Sequence, residues 1–202
     1  MSGMREVPAE PPAAESGSGA PVYSGLPRGA PPILKILTLL RHADARPATT
    51  HQDDHDRRLS ARGVAACEAL AADLAIVQAH PDLVLCSSAE RAKETLTRLR
   101  PALDAGRVEH ATDLYLASDD ALLERLWGIE DGVARALIVA HNPGAQILTA
   151  RLTGSGDADL RQRASSGFPA AALAELHFEV EGWAAIRDGS GRLARFVTPA
   201  PL

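Results

Sequence analysis

The sequence predicts an α/β fold built on a mostly parallel sheet. Short apolar runs alternate with helical runs through roughly the first 150 residues, the order expected of strand–helix units. The runs are nearly continuous in apolar character, as in strands covered on both faces. Two of them, "LTLLRH" and "LIVAH", break off directly into histidine, which places charged groups at strand ends.

Each element follows in order. "ILKILTLL" (33–40) is the first strand, and the polar "ADARPATTHQDDHDRR" (43–58) is long enough to be a loop with a task. Ser60 is a cap for the helix "ARGVAACEALAADLAIVQ", whose Val64, Cys67, Leu70, Leu74 and Val77 recur at three- and four-residue steps. "PDLVLCSS" is a second buried strand, and "AERAKETLTRLRPAL" a helix stopped near Pro101. "DLYLAS" reads as a short strand, with Asp119 and Asp120 suited to open the helix "ALLERLWGI". "RALIVAHNPG" repeats the opening theme, with Asn142 as cap and Gly154 as end of the helix "GAQILTARL". "AALAELHFEV", "GWAAIR" and "LARFVTP" read as further strands.

Bulk properties narrow the function classes. At 202 residues and 46% hydrophobic content there is room for one sizeable core. Aromatics are 3%, so that core rests on Ala, Leu, Val and Ile. A net charge of −5 argues against a nucleic-acid binder. The apolar run around Lys35 is too short to span a bilayer. Cys67 and Cys86 read as buried reduced thiols, since two cysteines make no disulfide framework and no zinc spacing is present. Residues 1–32 lack the apolar stretch of a signal peptide and read as a disordered tail, followed by one domain over 33–202. A cytoplasmic protein is expected.

Parallel sheets form their sites outside the carboxyl ends of the strands. By that rule three strand ends converge. The first brings Arg41 and His42; the second brings Ser87, Ser88 and, at the start of its helix, Arg91; the later one brings His141, Asn142 and a helix N-terminus. Guanidiniums are forked donors matched to phosphate oxygens, and a helix N-terminus favours an anion. A neutral imidazole is a nucleophile toward phosphorus, and nearby positive charge keeps it neutral. Any one of these features is ordinary; their joint occurrence points to phosphoryl chemistry.

"LLRHADA", "SSAERAKETL" and "VAHNPG" together resemble the histidine phosphatase superfamily, over residues 33–200. "DRRLSARG", "DLYLAS", "GFPAAALAEL" and "FVTP" are similar to its small phosphohistidine phosphatase branch. The resemblance implies a phosphoglycerate-mutase-like, three-layer αβα sandwich. It implies His42 as the nucleophile that is transiently phosphorylated, Arg41 and Arg91 as phosphate binders, and His141 as a donor to the phosphoryl oxygens. Asn142 and Ser88 would complete the substrate site. No cofactor and no metal are implied, and the substrate is a phosphorylated protein or a small phosphorylated metabolite.

One family element has no match. Larger members carry a glutamate that protonates the leaving alcohol, and "DLYLASDDALLERL" offers no equivalent. Asp44, Asp53, Asp54, Asp56, Asp119 and Asp120 are weaker candidates, better read as solvated or capping groups. Protonating an alkoxide contributes about 10²–10⁴-fold. A nitrogen leaving group needs less help, so the gap favours phosphohistidine on a protein. A broad phosphomonoesterase and a non-catalytic phosphoprotein-binding module are the alternatives. A mutase is disfavoured by the short chain. His51 and His55 with their aspartates are a weak metal candidate, and Arg57 and Arg58 read as partners of neighbouring aspartates.

Overall fold

The computed structural model describes residues 33–76 and 80–199. The expected tail over 1–32 and the helix position Val77 lie outside them. Seven strands form one sheet in the order β3-β2-β4-β1-β6-β7-β5. They are β1 (Ile33–Arg41), β2 (Leu83–Ser87), β3 (Arg107–Ala111), β4 (Arg135–Ala140), β5 (Thr153–Gly156), β6 (Leu173–Val180) and β7 (Gly191–Val197). Only β6 runs against the others, so the sheet is mostly parallel. Among the described residues five α-helices flank it: α1 (Ala61–Ile76), α2 (Glu90–Leu99), α3 (Asp119–Trp127), α4 (Gly144–Leu152) and α5 (Ala158–Ser166).

The apolar run of β1 is explained by a core on each face of the sheet. Leu37 and Leu39 join Leu122, Leu126, Leu148 and Phe178 on the side of α3 and α4. Leu40 joins Cys67, Leu70, Leu74, Leu96 and Val139 on the side of α1 and α2. Alternate side chains point to opposite faces, so both must be apolar. Both cysteines are buried, free thiols; burial raises Cys67 to about 11 and Cys86 to about 12. Lys35 is the charged intrusion, held by the carbonyls of Asp131 and Val133.

Local signals held where a side chain closes a helix. Ser60 caps α1, accepting from the Gly63 amide at 3.0 Å. Other expectations are corrected. "DLYLAS" is a 3-10 turn at Thr112–Leu114 and a loop; the strand is the preceding β3, an edge strand paired with β2 alone. "GWAAIR" carries a 3-10 turn at Trp183–Ala185, because Trp183 turns into the core and donates to the Val133 carbonyl. Ser118, not Asp119 or Asp120, caps α3; Arg151 holds both aspartates at 3.0 and 2.6 Å. Gly154 does not end α4, which stops at Leu152; it lies in β5, where a Cβ would overlap the Gly189 carbonyl. Among the described residues no helix is long and apolar enough to cross a membrane.

Candidate active site

The parallel register brings three strand ends level. Arg41 of β1 pairs with Ala140 of β4, and Cys86 of β2 pairs with Val139. The next residues therefore emerge together: His42 after β1, His141 after β4, and Ser87 at the end of β2. The backbone ties this edge, since the His42 amide donates to the Ala140 carbonyl at 3.0 Å. Arg91 enters from the first turn of α2, where it is only 3% exposed.

Arg91 joins the two histidines. Its Nε donates to His42 Nε2 at 3.2 Å, and its Nη2 faces His141 Nδ1 at 3.4 Å. The imidazole centroids are 4.9 Å apart. A guanidinium only donates, so both facing ring nitrogens are acceptors. The His42 proton is then on Nδ1, which donates to the Ala43 carbonyl at 2.8 Å. His42 is a neutral ring with its Nε2 lone pair toward Arg91. In His141 the proton is on Nε2, which donates to Ser87 Oγ at 2.7 Å.

Electrostatics favours those neutral rings. Burial is the main force lowering His42, to about 4; the Ala43 carbonyl opposes it, and the charges of Arg91, Arg41 and Arg57 add to it. Burial also lowers His141, to about 3, helped by His42 and Arg91 and opposed by Asp54. Arg41 shares the Phe168 carbonyl with Asn142: Arg41 Nη1 donates to it at 2.8 Å and Asn142 Nδ2 at 2.9 Å. Among the described residues Arg41 Nε and Asn142 Oδ1 have no hydrogen-bond partner.

Asn142 is not the cap of α4. Pro143 occupies that position after a cis peptide bond, and the Asn142 amide reaches across to the loop after α5. Ser88 donates to, or accepts from, His55 Nε2 at 2.9 Å, whereas Ser87 is the serine that reaches His141. His55 Nδ1 lies 3.3 Å from Asp56, so the imidazole is engaged by Ser88 and Asp56.

Sequence reasoning gave too little weight to Asp54 and overlooked Tyr115. Asp54 Oδ2 accepts from Arg91 Nη2 at 3.0 Å and from the Tyr115 hydroxyl at 2.8 Å. Its Oδ1 accepts from Arg57 Nη1 at 2.7 Å, and its carbonyl accepts from Arg91 Nη1 at 2.6 Å. Bonds from Arg57 and Tyr115, then Arg91, hold the carboxyl well below the usual range. Arg57 thus pairs with an aspartate as expected, while Arg58 pairs with Glu94 at 2.9 Å. Among the described residues two non-glycines adopt left-handed backbone, Leu116 at φ 52° and Ala171 at φ 59°. Both lie in loops beside this cluster, where strain collects at functional sites: Leu116 follows Tyr115, and the Ala171 amide donates to the His42 carbonyl at 3.2 Å.

Comparison with known proteins agrees with this architecture. The family model of the histidine phosphatase superfamily (branch 1) matches residues 37–134. An uncharacterized protein of Mycobacterium leprae is 36% identical over 165 residues, covering 79% of this chain and 99% of the relative. The chain belongs to the histidine phosphatase superfamily. Among solved structures, one described as a "putative phosphohistidine phosphatase SixA" from Nakamurella multipartitia superposes with a TM-score of 0.73 at 24% identity, covering 85% of this chain and 100% of the other. A second of that name, from Agrobacterium tumefaciens, gives a TM-score of 0.67 at 29% identity over the same shares.

Proposed function

We propose that the protein hydrolyses a phosphoryl group through a covalent phosphohistidine at His42, and that its substrate is phosphohistidine on a protein. The observation that carries the reaction type is the His42 ring, with Nδ1 tied to the Ala43 carbonyl and Nε2 unprotonated beside Arg91. Nε2 attacks phosphorus in line with the departing nitrogen; the new P–N bond forms as the old one breaks. The departing imidazole retains the electron pair and takes its proton from solvent. Water then attacks the phosphoryl group on His42, the P–Nε2 bond breaks, and inorganic phosphate leaves with His42 neutral again.

Arg41 and Arg91 meet the charge of the transferring oxygens, and positioning with electrostatics supplies most of the acceleration. His141 donates through Nδ1 once a phosphoryl oxygen takes the place of the Arg91 contact and the Ser87 hydroxyl turns to donate to Nε2. Asn142 and Ser88 line the substrate side. With two guanidiniums at the anion, the reaction as proposed runs without a metal.

The choice of leaving group follows from Asp54. It is the carboxylate in contact with Arg91, and its three donors keep it ionised. An ionised carboxylate has no proton for an alkoxide, a deficit of about 10²–10⁴-fold. The names of the SixA structures fit the same substrate class. The test compares a phosphohistidine protein, a phosphoserine peptide and sugar phosphates in the presence of EDTA. The expected result is EDTA-resistant turnover of phosphohistidine above the others. Efficient clearance of sugar phosphates with phosphohistidine untouched overturns the substrate assignment in favour of a small-molecule phosphomonoesterase, and oxyanion binding without turnover favours a binding module.

A further inference from the structure

The donors of Arg91 are divided between two directions. A guanidinium has five N–H bonds in a fixed plane. The Nε bond and one Nη2 bond face the imidazoles of His42 and His141. On the other side, Nη1 reaches the Asp54 main-chain carbonyl and Nη2 reaches the Asp54 carboxylate. One residue thus grips the outer edge twice, by backbone and by side chain.

We propose that Asp54 is a positioning residue for phosphoryl transfer: it holds the outer edge of the Arg91 guanidinium, so that the Nε and Nη2 protons are aimed between His42 and His141. Asp54 is itself braced. Arg57 fixes one carboxylate oxygen and Tyr115 the other, and the Arg91 guanidinium lies 5.7 Å from the Tyr115 ring. Tyr115 also meets the His141 ring edge-on, with centroids 5.5 Å apart. Asp54 and Tyr115 therefore set Arg91 and His141 with respect to each other.

A contact that served only to anchor the loop would have no reason to place a negative charge beside an anion site, where it opposes substrate binding. A buried guanidinium with long rotatable bonds does need fixing, because transfer depends on donors aimed at the developing charge. The carboxylate side chain is 43% exposed while Arg91 is 3% exposed. The cost in binding is therefore moderated by solvent, and the gain is geometric. Asp54→Asn separates these effects, since it keeps the shape and removes the charge.

The proposal rests on the phosphatase reading for its kinetic arm but not for its binding and spectroscopic arms. Asp54→Asn and Tyr115→Phe are compared with wild type in the full chain. Four readouts are followed: turnover of p-nitrophenyl phosphate and a phosphohistidine peptide, affinity for inorganic phosphate, hydrogen exchange of the Arg91 Nε–H by NMR, and thermal midpoint. The expected result for Asp54→Asn is a kcat loss of roughly 10–100-fold. Inorganic phosphate, a ground-state anion, should bind at least as tightly as to wild type, and the Arg91 Nε–H should exchange faster, with the thermal midpoint unchanged within a few degrees. Tyr115→Phe should move the same readouts in the same direction by less. Unchanged kcat, unchanged Nε–H exchange, or a joint loss of phosphate binding and thermal stability overturns the proposal. A wild type with no turnover on either substrate, yet with inorganic phosphate bound and the exchange difference intact, overturns the phosphatase reading instead and leaves the positioning of Arg91 demonstrated.

Discussion

His42 and His141 begin from the same local pattern, an apolar parallel strand that runs straight into an imidazole, and end in opposite tautomers. The difference is in what takes each ring's second nitrogen. His42 turns Nδ1 back onto the carbonyl of its own neighbour, Ala43, which leaves Nε2 toward Arg91. His141 is 1% exposed and commits Nε2 to the Ser87 hydroxyl, a group that either donates or accepts. A fixed carbonyl locks one tautomer; a hydroxyl permits two. The locked ring suits a nucleophile, and the adaptable ring suits a donor to an oxyanion that comes and goes.

The sharpest way to break this contrast is to remove each ring in turn. His42→Ala should lower kcat by at least about 10³-fold and abolish the covalent phosphoenzyme, as removing a nucleophile does in other covalent enzymes. His141→Ala should cost less, about 10²–10³-fold, typical of one lost oxyanion donor, and should still permit phosphoenzyme formation. Rapid acid-free quench and intact-mass measurement distinguish them. Labelling that survives His42→Ala and disappears in His141→Ala would exchange the two roles.

Acid titration tests the same contrast without mutation. In the proposed reaction both rings act while neutral, and burial lowers His42 to about 4 and His141 to about 3. The kcat/KM for p-nitrophenyl phosphate should therefore lack an enzyme inflection near 6.5, and should fall about tenfold per pH unit only below about 4. An inflection between 6 and 7 would mean that His42 is not held neutral by its surroundings. Stability has a matching sign. The unfolded chain takes up these protons near 6.5 and the folded chain only near 4 and 3, so the histidine contribution is complete above 6.5 and is lost as pH falls through 4. Urea melts between pH 7 and pH 4 should show stability decreasing over that window.

The parts of the molecule that were legible in the sequence are those whose burial leaves a pattern. β1 and β4 are covered on both faces, and their apolar runs announce them. β3 carries the polar sequence RVEHA at a sheet edge, and α5 buries only Ala164, so neither shows a stripe. In the site, Arg41, His42, Arg91 and His141 stand out because each follows an apolar strand. Asp54 reaches Arg91 across 37 positions from a loop full of acids, and Tyr115 reaches Asp54 across 61. The Phe168 carbonyl holds Arg41 from 127 positions away and is a main-chain atom, with no side-chain signature at all. Contacts made by tertiary folding, or by backbone, have no local spacing to read.

Ser87 gives the finest test of the contrast between the rings. Its hydroxyl is buried, lies 2.7 Å from His141 Nε2, and also accepts at 3.4 Å from the Ala89 amide. Ser87→Ala leaves His141 neutral and in place by packing, but removes the group that lets its proton move from Nε2 to Nδ1. A single neutral hydrogen bond contributes about 1 kcal/mol, so kcat should fall roughly fivefold with KM nearly unchanged. His42 labelling should remain intact, because nothing in the His42–Ala43 contact depends on the hydroxyl. An equal effect on phosphoenzyme formation and on vanadate affinity would mean that Ser87 shapes the pocket as a whole; an effect on kcat alone would locate it in the proton balance of His141, where the difference between the two histidines resides.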